Sequence, residues 1–154
     1  MKAVILARGS DNYADESSDS RIPKYLLEVG DKTILERQID ILVSCGIKKE
    51  DILIVIEGKG DLWDDKSIDK VKSIHQQVIM NEESLKKNQA YSFLLAIQNV
   101  DEEVLCLDAN ILFGFAPIQK MINNKQKSVL LTTKKRRFKE GNKVLVKIDR
   151  ILGI

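Results

Sequence analysis

Residues 1–29 read MKAVILARGSDNYADESSDSRIPKYLLEV, an apolar run that passes into a long polar loop ending in Ile22-Pro23-Lys24. Lys2 to Ala7 is almost unbroken in its apolar character, as a central parallel strand covered on both faces requires. The run should end at Gly9. A loop leaving the carboxyl end of such a strand lies where open α/β sheets bind ligands, and glycine lets the backbone approach phosphate oxygens. Pro23 fixes its own φ and pushes Ile22 into an extended conformation, so Lys24 returns toward the sheet in a set direction with one positive charge. A single glycine is a weak motif, and a polar surface loop followed by a solvated lysine accounts for the same residues equally well.

Working outward, strand and helix patterns alternate at the spacing of βαβ units, which predicts a mostly parallel sheet with right-handed crossovers. Thr33 and Glu36 have capping-box spacing ahead of a core stripe of Leu35, Ile39 and Leu42, and Gly46 ends that helix. Residues 51–56 read as a second buried strand, about 62–73 as a helix and 77–80 as a short third strand. A helix over about 89–98 is expected to bury Tyr91, Leu94 and Leu95. Residues 103–107 form the fourth strand, and 118–123 a helix after Pro117. Residues 128–133 and 143–148 look like two strands joined by a basic turn.

Composition supports one domain over residues 1–154. The chain is 44% hydrophobic, and no Pro/Gly/Ser-rich stretch divides it. A formal charge of +2 argues against binding to nucleic acid or membrane through bulk electrostatics. The apolar start is too short for a signal peptide and no segment is long enough to span a bilayer, so a cytoplasmic location is expected. Cys45 and Cys106 lie within apolar patterns without metal-ligand spacing and read as buried free thiols. His75 is the only histidine, expected at a surface or half-buried structural position. Trp63 reads as a packing residue, and Lys134-Lys135-Arg136-Arg137 as a solvated hairpin tip.

Leu6-Ala7-Arg8-Gly9, followed by Pro23-Lys24-Tyr25-Leu26-Leu27-Glu28-Val29, resembles the opening of the nucleotidyltransferases that activate sugar phosphates and phosphocholine. Members pass from a strand into a signature of roughly L-A-A-G-x-G-x-R-L, then Pro-Lys and a short apolar strand. The likeness continues in order through the first helix, Asn88-Gln89-Ala90-Tyr91-Ser92 and Leu105-Cys106-Leu107-Asp108-Ala109-Asn110, covering residues 1 to about 115. It implies an α/β Rossmann-like three-layer sandwich that binds an NTP with Mg²⁺ and transfers a nucleotidyl group to a phosphorylated sugar or alcohol, releasing pyrophosphate.

By the same resemblance, Leu6, Ala7, Arg8, Gly9, Asn88 and Gln89 would contact the nucleotide, Lys24 and Asp108 would be catalytic, and Asp108 would hold the metal. The residues also admit plainer roles: Asp108 as a turn aspartate after a strand, and Asn88 and Gln89 as helix caps. This chain departs from the family pattern where Asp11 replaces the second glycine, Tyr13 stands near the signature arginine, and Asn110 replaces a second carboxylate. Relatives also continue beyond the point matching Ile154, through a region that completes the acceptor site. A non-catalytic nucleotide-binding or dimerising module is therefore the alternative, with a homodimer covering open sheet edges. An NAD-binding domain is weaker because Gly-x-Gly-x-x-Gly is absent.

Overall fold

The computed structural model describes residues 1–7, 22–57, 65–83, 89–126, 128–131, 145–147 and 150–153. Strand β1 is Lys2–Ala7. Ala3, Ile5 and Ala7 join one apolar cluster, while Val4 and Leu6 join another. Successive strand side chains point to opposite faces, so both faces of β1 are covered.

Beyond Pro23, the apolar strand implied by the resemblance is replaced by a single 3₁₀ turn, Lys24–Leu26. The cause is local: the amides of Leu26 and Leu27 bond back to the carbonyls of Pro23 and Lys24 at 2.8 and 3.0 Å. Tyr25 and Leu26 are buried beneath it. Strands β2 (Glu28–Val29) and β3 (Lys32–Thr33) then form a small antiparallel hairpin. Its turn needs glycine, because Gly30 has φ +74°.

Helix α1 is Ile34–Ser44, opened by the expected reciprocal cap between Thr33 and Glu36. Thr33 Oγ accepts from the Glu36 amide at 3.2 Å, and the Thr33 amide donates to the Glu36 carboxylate at 2.7 Å. Leu35, Ile39 and Leu42 are buried as the periodicity requires. The helix closes in a Schellman motif: Gly46 N donates to Val43 O, Ile47 N donates to Leu42 O, and Gly46 has φ +90°.

The rest of the α/β unit is β4 (Ile52–Glu57), α2 (Asp65–Ile74), β5 (Val78–Asn81), α3 (Gln89–Ile97), β6 (Val104–Asp108) and α4 (Phe115–Ile122). Among the described residues the main sheet has the order β5-β4-β1-β6, with every pair parallel. Ile39 and Leu42 of α1, Ile68 and Val71 of α2 and Ile118 of α4 belong to the cluster on one face. Ala96 of α3, with Phe93 and Ile97, packs against the other. The result is the expected three-layer α/β sandwich. Full burial of side chains such as Ile5, Leu42, Ile54 and Ile56 contributes about 1.5–3 kcal/mol each.

Several expectations are corrected. Helix α3 buries Ser92 and Ala96, whereas Leu94 is exposed and Tyr91 and Leu95 are half-buried. Helix α4 begins three residues before Ile118, since Pro117 in its first turn has no N–H to leave unpaired. His75 is fully buried, with Nε2 at 2.7 Å from the Ile52 carbonyl. Cys45 is buried but Cys106 is exposed, since among the described residues β6 is an edge strand and α3 packs chiefly over β4, β1 and β5. Residues 128–131 form no strand; instead β7 (Leu145–Lys147) pairs antiparallel with β8 (Arg150–Gly153). Trp63 and the basic run at 134–137 lie outside the described residues.

Candidate functional site

Four parallel strands end along one edge of the sheet, at Ala7, Glu57, Asn81 and Asp108. The chain steps outward from β1 to β4 and β5, then α3 carries it back to β6 on the other side of β1. Strand order therefore reverses between β1 and β6, where open α/β sheets form a ligand crevice.

Asp108 and Leu6 are register partners at that reversal, and the Ala109 amide donates to the Leu6 carbonyl at 3.1 Å. Leu105 and Leu107 pack into the cluster on the α1 face. Alternation therefore puts Asp108 on the other face, with Leu6. The Asp108 side chain is half-buried, and Oδ1 accepts from the Asn110 amide at 2.8 Å. This is an Asx turn, so the plainer role foreseen for Asp108 is real. It occupies one carboxylate oxygen; the second makes no hydrogen bond among the described residues.

Helix α3 starts at the same edge. Asn81, fully buried at the end of β5, donates from Nδ2 to Ser92 Oγ at 2.9 Å and accepts from the Glu83 amide at 3.1 Å. This pair anchors the first turn of α3, so Gln89 opens the helix on the Leu6–Asp108 face. Gln89 is half-buried. Arg8, Gly9 and Asn88 lie outside the described residues.

Lys24 opens the 3₁₀ turn and is half-buried, with no ion pair among the described residues. The turn ends at Leu27, whose carbonyl accepts from Ile34, the first residue of α1, at 3.0 Å. Helix α1 also reaches the end of β6 through Gln38. Leu6, Ala7 and Asp108 therefore lie at the carboxyl edge with Gln89 on the α3 side, while Lys24 belongs to the turn that packs with α1.

Gln38 was missed by the sequence reading. It is 0% exposed, and its Nε2 donates to the carbonyls of Asp108 at 2.9 Å and Ile111 at 2.6 Å. A signal existed: Gln38 lies three residues after Leu35 and four before Leu42, on the apolar stripe, where a polar side chain needs a buried partner.

A cleft of about 300 Å³ lined by Val29, Arg37, Asp40, Ile41, Leu112 and Phe113 opens beside the hairpin. Its single cation among the described residues is already engaged, since Arg37 donates to the Val29 carbonyl at 2.7 Å and pairs with Asp31 at 2.8 Å. Among the described residues that leaves no unclaimed positive charge in the cleft for a polyphosphate. No group of three or more His, Cys, Asp or Glu side chains could hold a metal ion among the described residues. One carboxylate at a strand end nevertheless suits Mg²⁺, which commonly uses one or two carboxylates together with substrate phosphates and water.

No protein-family model matches the chain. It is 31% identical over 77 residues to a bifunctional sugar-1-phosphate nucleotidylyltransferase/acetyltransferase of Sulfurisphaera tokodaii, a match covering 50% of this chain and 18% of that protein. The solved structure of the CTP:phosphocholine cytidylyltransferase from Streptococcus pneumoniae matches with a TM-score of 0.53 and 26% identity. That match covers 70% of this chain and 44% of the neighbour. The chain therefore spans under half the length of either relative. Over that part, it is similar to nucleotidyltransferases in both sequence and mostly parallel α/β fold. No helix among the described residues is long and apolar enough to cross a membrane.

Proposed function

We propose that the chain binds an NTP across the carboxyl ends of β1 and β6 and transfers its nucleotidyl group to a phosphorylated sugar or alcohol. The observation that carries this reading is the pairing of Leu6 with Asp108 where strand order reverses. Similarity to a sugar-1-phosphate and a phosphocholine enzyme supports the acceptor class.

In this reaction an oxygen of the acceptor phosphate attacks the α-phosphorus in line, the bond from that phosphorus to the bridging oxygen breaks, and pyrophosphate leaves. Mg²⁺ held at Asp108 would supply neutralising charge to the phosphates. Leu6 and Ala7 bring the β1 backbone to the crevice, and the amides at the start of α3 beside Gln89 offer donors to phosphate or ribose oxygens. The Lys24 ammonium adds charge where negative charge grows on the leaving pyrophosphate. Positioning carries most of the work, because the step asks for little proton transfer. Arg8, Gly9 and Asn88 complete the proposed nucleotide contacts.

A second reading is a nucleotide-binding module that self-associates without catalysis. It is favoured by large apolar side chains left in water just beyond Asp108: Ile111 and Leu112 at 54% exposure and Phe115 at 48%. Both readings are tested by assaying pyrophosphate release with each of the four NTPs, Mg²⁺ and a panel of phosphorylated sugars and alcohols. Lys24→Ala and Asp108→Ala are run beside the native chain. Turnover abolished in both variants supports the enzyme. Thermal stabilisation by a nucleotide without turnover, with a dimer by light scattering, supports the module.

A further inference from the structure

From the two hydrogen bonds of its buried amide, we infer that Gln38 is a positioning residue that fixes the Asp108 turn for cation binding. The inference rests on the nucleotidyl-transfer reading and deepens it. The turn over residues 108–111 is weakly closed by its own backbone, since Ile111 N lies 3.4 Å from Asp108 O. Gln38 spans its two ends instead. One nitrogen gives its two protons to the carbonyls of Asp108 and Ile111, 70 and 73 residues away. Together with the Ala109–Leu6 bond, these bonds hold the peptide plane after Asp108 and, through it, the direction of the carboxylate.

The same helix holds the other charged segment. Ile34, at the start of α1, donates to Leu27 at the end of the Lys24 turn, while Gln38, one turn later, grips the Asp108 turn. Helix α1 is therefore a strut between the Lys24 turn and the Asp108 turn, kept rigid at its start by the Thr33–Glu36 cap. Gln38 makes the strut's only side-chain hydrogen bonds to the Asp108 turn among the described residues. A site for one metal ion and a triphosphate tolerates little error in that separation.

The test compares Gln38→Met, which keeps volume and loses both donors, with Gln38→Asn, which keeps an amide but shortens its reach and covers the case in which the Met variant does not fold. Two quantities are measured on folded protein: amide hydrogen exchange, and the Mg²⁺ concentration for half-maximal pyrophosphate release. The expected result is exchange at least tenfold faster at Ala109, Asn110 and Ile111 with Leu42 unchanged, and a half-saturating Mg²⁺ concentration raised at least fivefold. Unchanged exchange at residues 109–111 overturns the inference. So does a lower melting temperature with unaltered Mg²⁺ dependence, which a merely structural glutamine would give. If the native chain releases no pyrophosphate, the nucleotidyl-transfer reading falls separately. A Mg²⁺ titration of the Asn110 amide signal then replaces the kinetic readout, and identical midpoints in native and variant chains overturn the inference.

Discussion

The carbonyl of Leu6 receives the amide that follows Asp108, at 3.1 Å, so the end of β1 and the turn that ends β6 are one hydrogen-bonded unit. This bond needs only backbone atoms. The Asp108 side chain can therefore change without releasing the turn from the sheet.

Asp108→Asn separates the turn role from the charge. Asparagine keeps an oxygen for the Asn110 amide, so stability should stay within about 0.5 kcal/mol of the native value by urea melting. Pyrophosphate release should drop about 100-fold or more, the scale of losing one electrostatic group at a reacting centre. Retained turnover would remove Asp108 from the proposed site.

The cap of α1 predicts a pH effect. The Thr33 amide, then its hydroxyl, hold the Glu36 carboxyl below the usual glutamate value. Because the folded pKa is the lower one, this contribution is complete above the unfolded value of about 4.3 and disappears as pH falls through the folded value. Thr33→Ala should cost about 1 kcal/mol at neutral pH, and the difference from the native chain should shrink in acid. Because Thr33→Ala keeps the backbone amide, a constant difference down to pH 3 would mean that the hydroxyl adds nothing to the cap's ionic part.

His75 acts at higher pH. Burial pushes its imidazole below the ordinary histidine value, outweighing the opposing hydrogen bond to Ile52. Between the lowered folded pKa and the unfolded value of about 6.5, the folded chain binds fewer protons than the unfolded one, so stability is full above that window and declines through it as acid is added. Urea midpoints at pH 7.5 and 5.0 measure the decline. His75→Gln, which can still donate to the Ile52 carbonyl but does not titrate, should flatten it.

Gly30→Ala tests the hairpin. The residue has φ +74°, and an added Cβ would lie 2.9 Å from Arg37 Nη2, which already donates to the Val29 carbonyl and to Asp31. Left-handed strain alone is about 1–2 kcal/mol, which thermal melting resolves easily. An unchanged melting temperature would mean that the hairpin adapts and does not hold Arg37 in place.

Much of the scaffold was legible because local rules and the global fold agree. The run at residues 2–7, the capping box at Thr33 and the glycine stop at Gly46 each specify their element within a few residues. The misreadings share a cause. Leu94 has the hydrophobicity of a core residue, yet α3 turns Ser92 and Ala96 to the sheet because Asn81 waits there with a hydrogen bond. Cys106 lies in a buried-strand pattern, but among the described residues β6 is at the edge of the sheet and its Cys106 is exposed.

By itself, the order of residues determined an α/β chain with a buried first strand and an acidic residue at the end of another, because periodicity, caps and turn residues act over a few neighbours. Only the tertiary structure decided that β6 returns beside β1, setting Asp108 against Leu6, and that an amide on α1 closes the Asp108 turn. Those contacts join residues about 70 or more positions apart, and no local preference encodes a partner at that distance; it is chosen when helices and strands bury their apolar faces together.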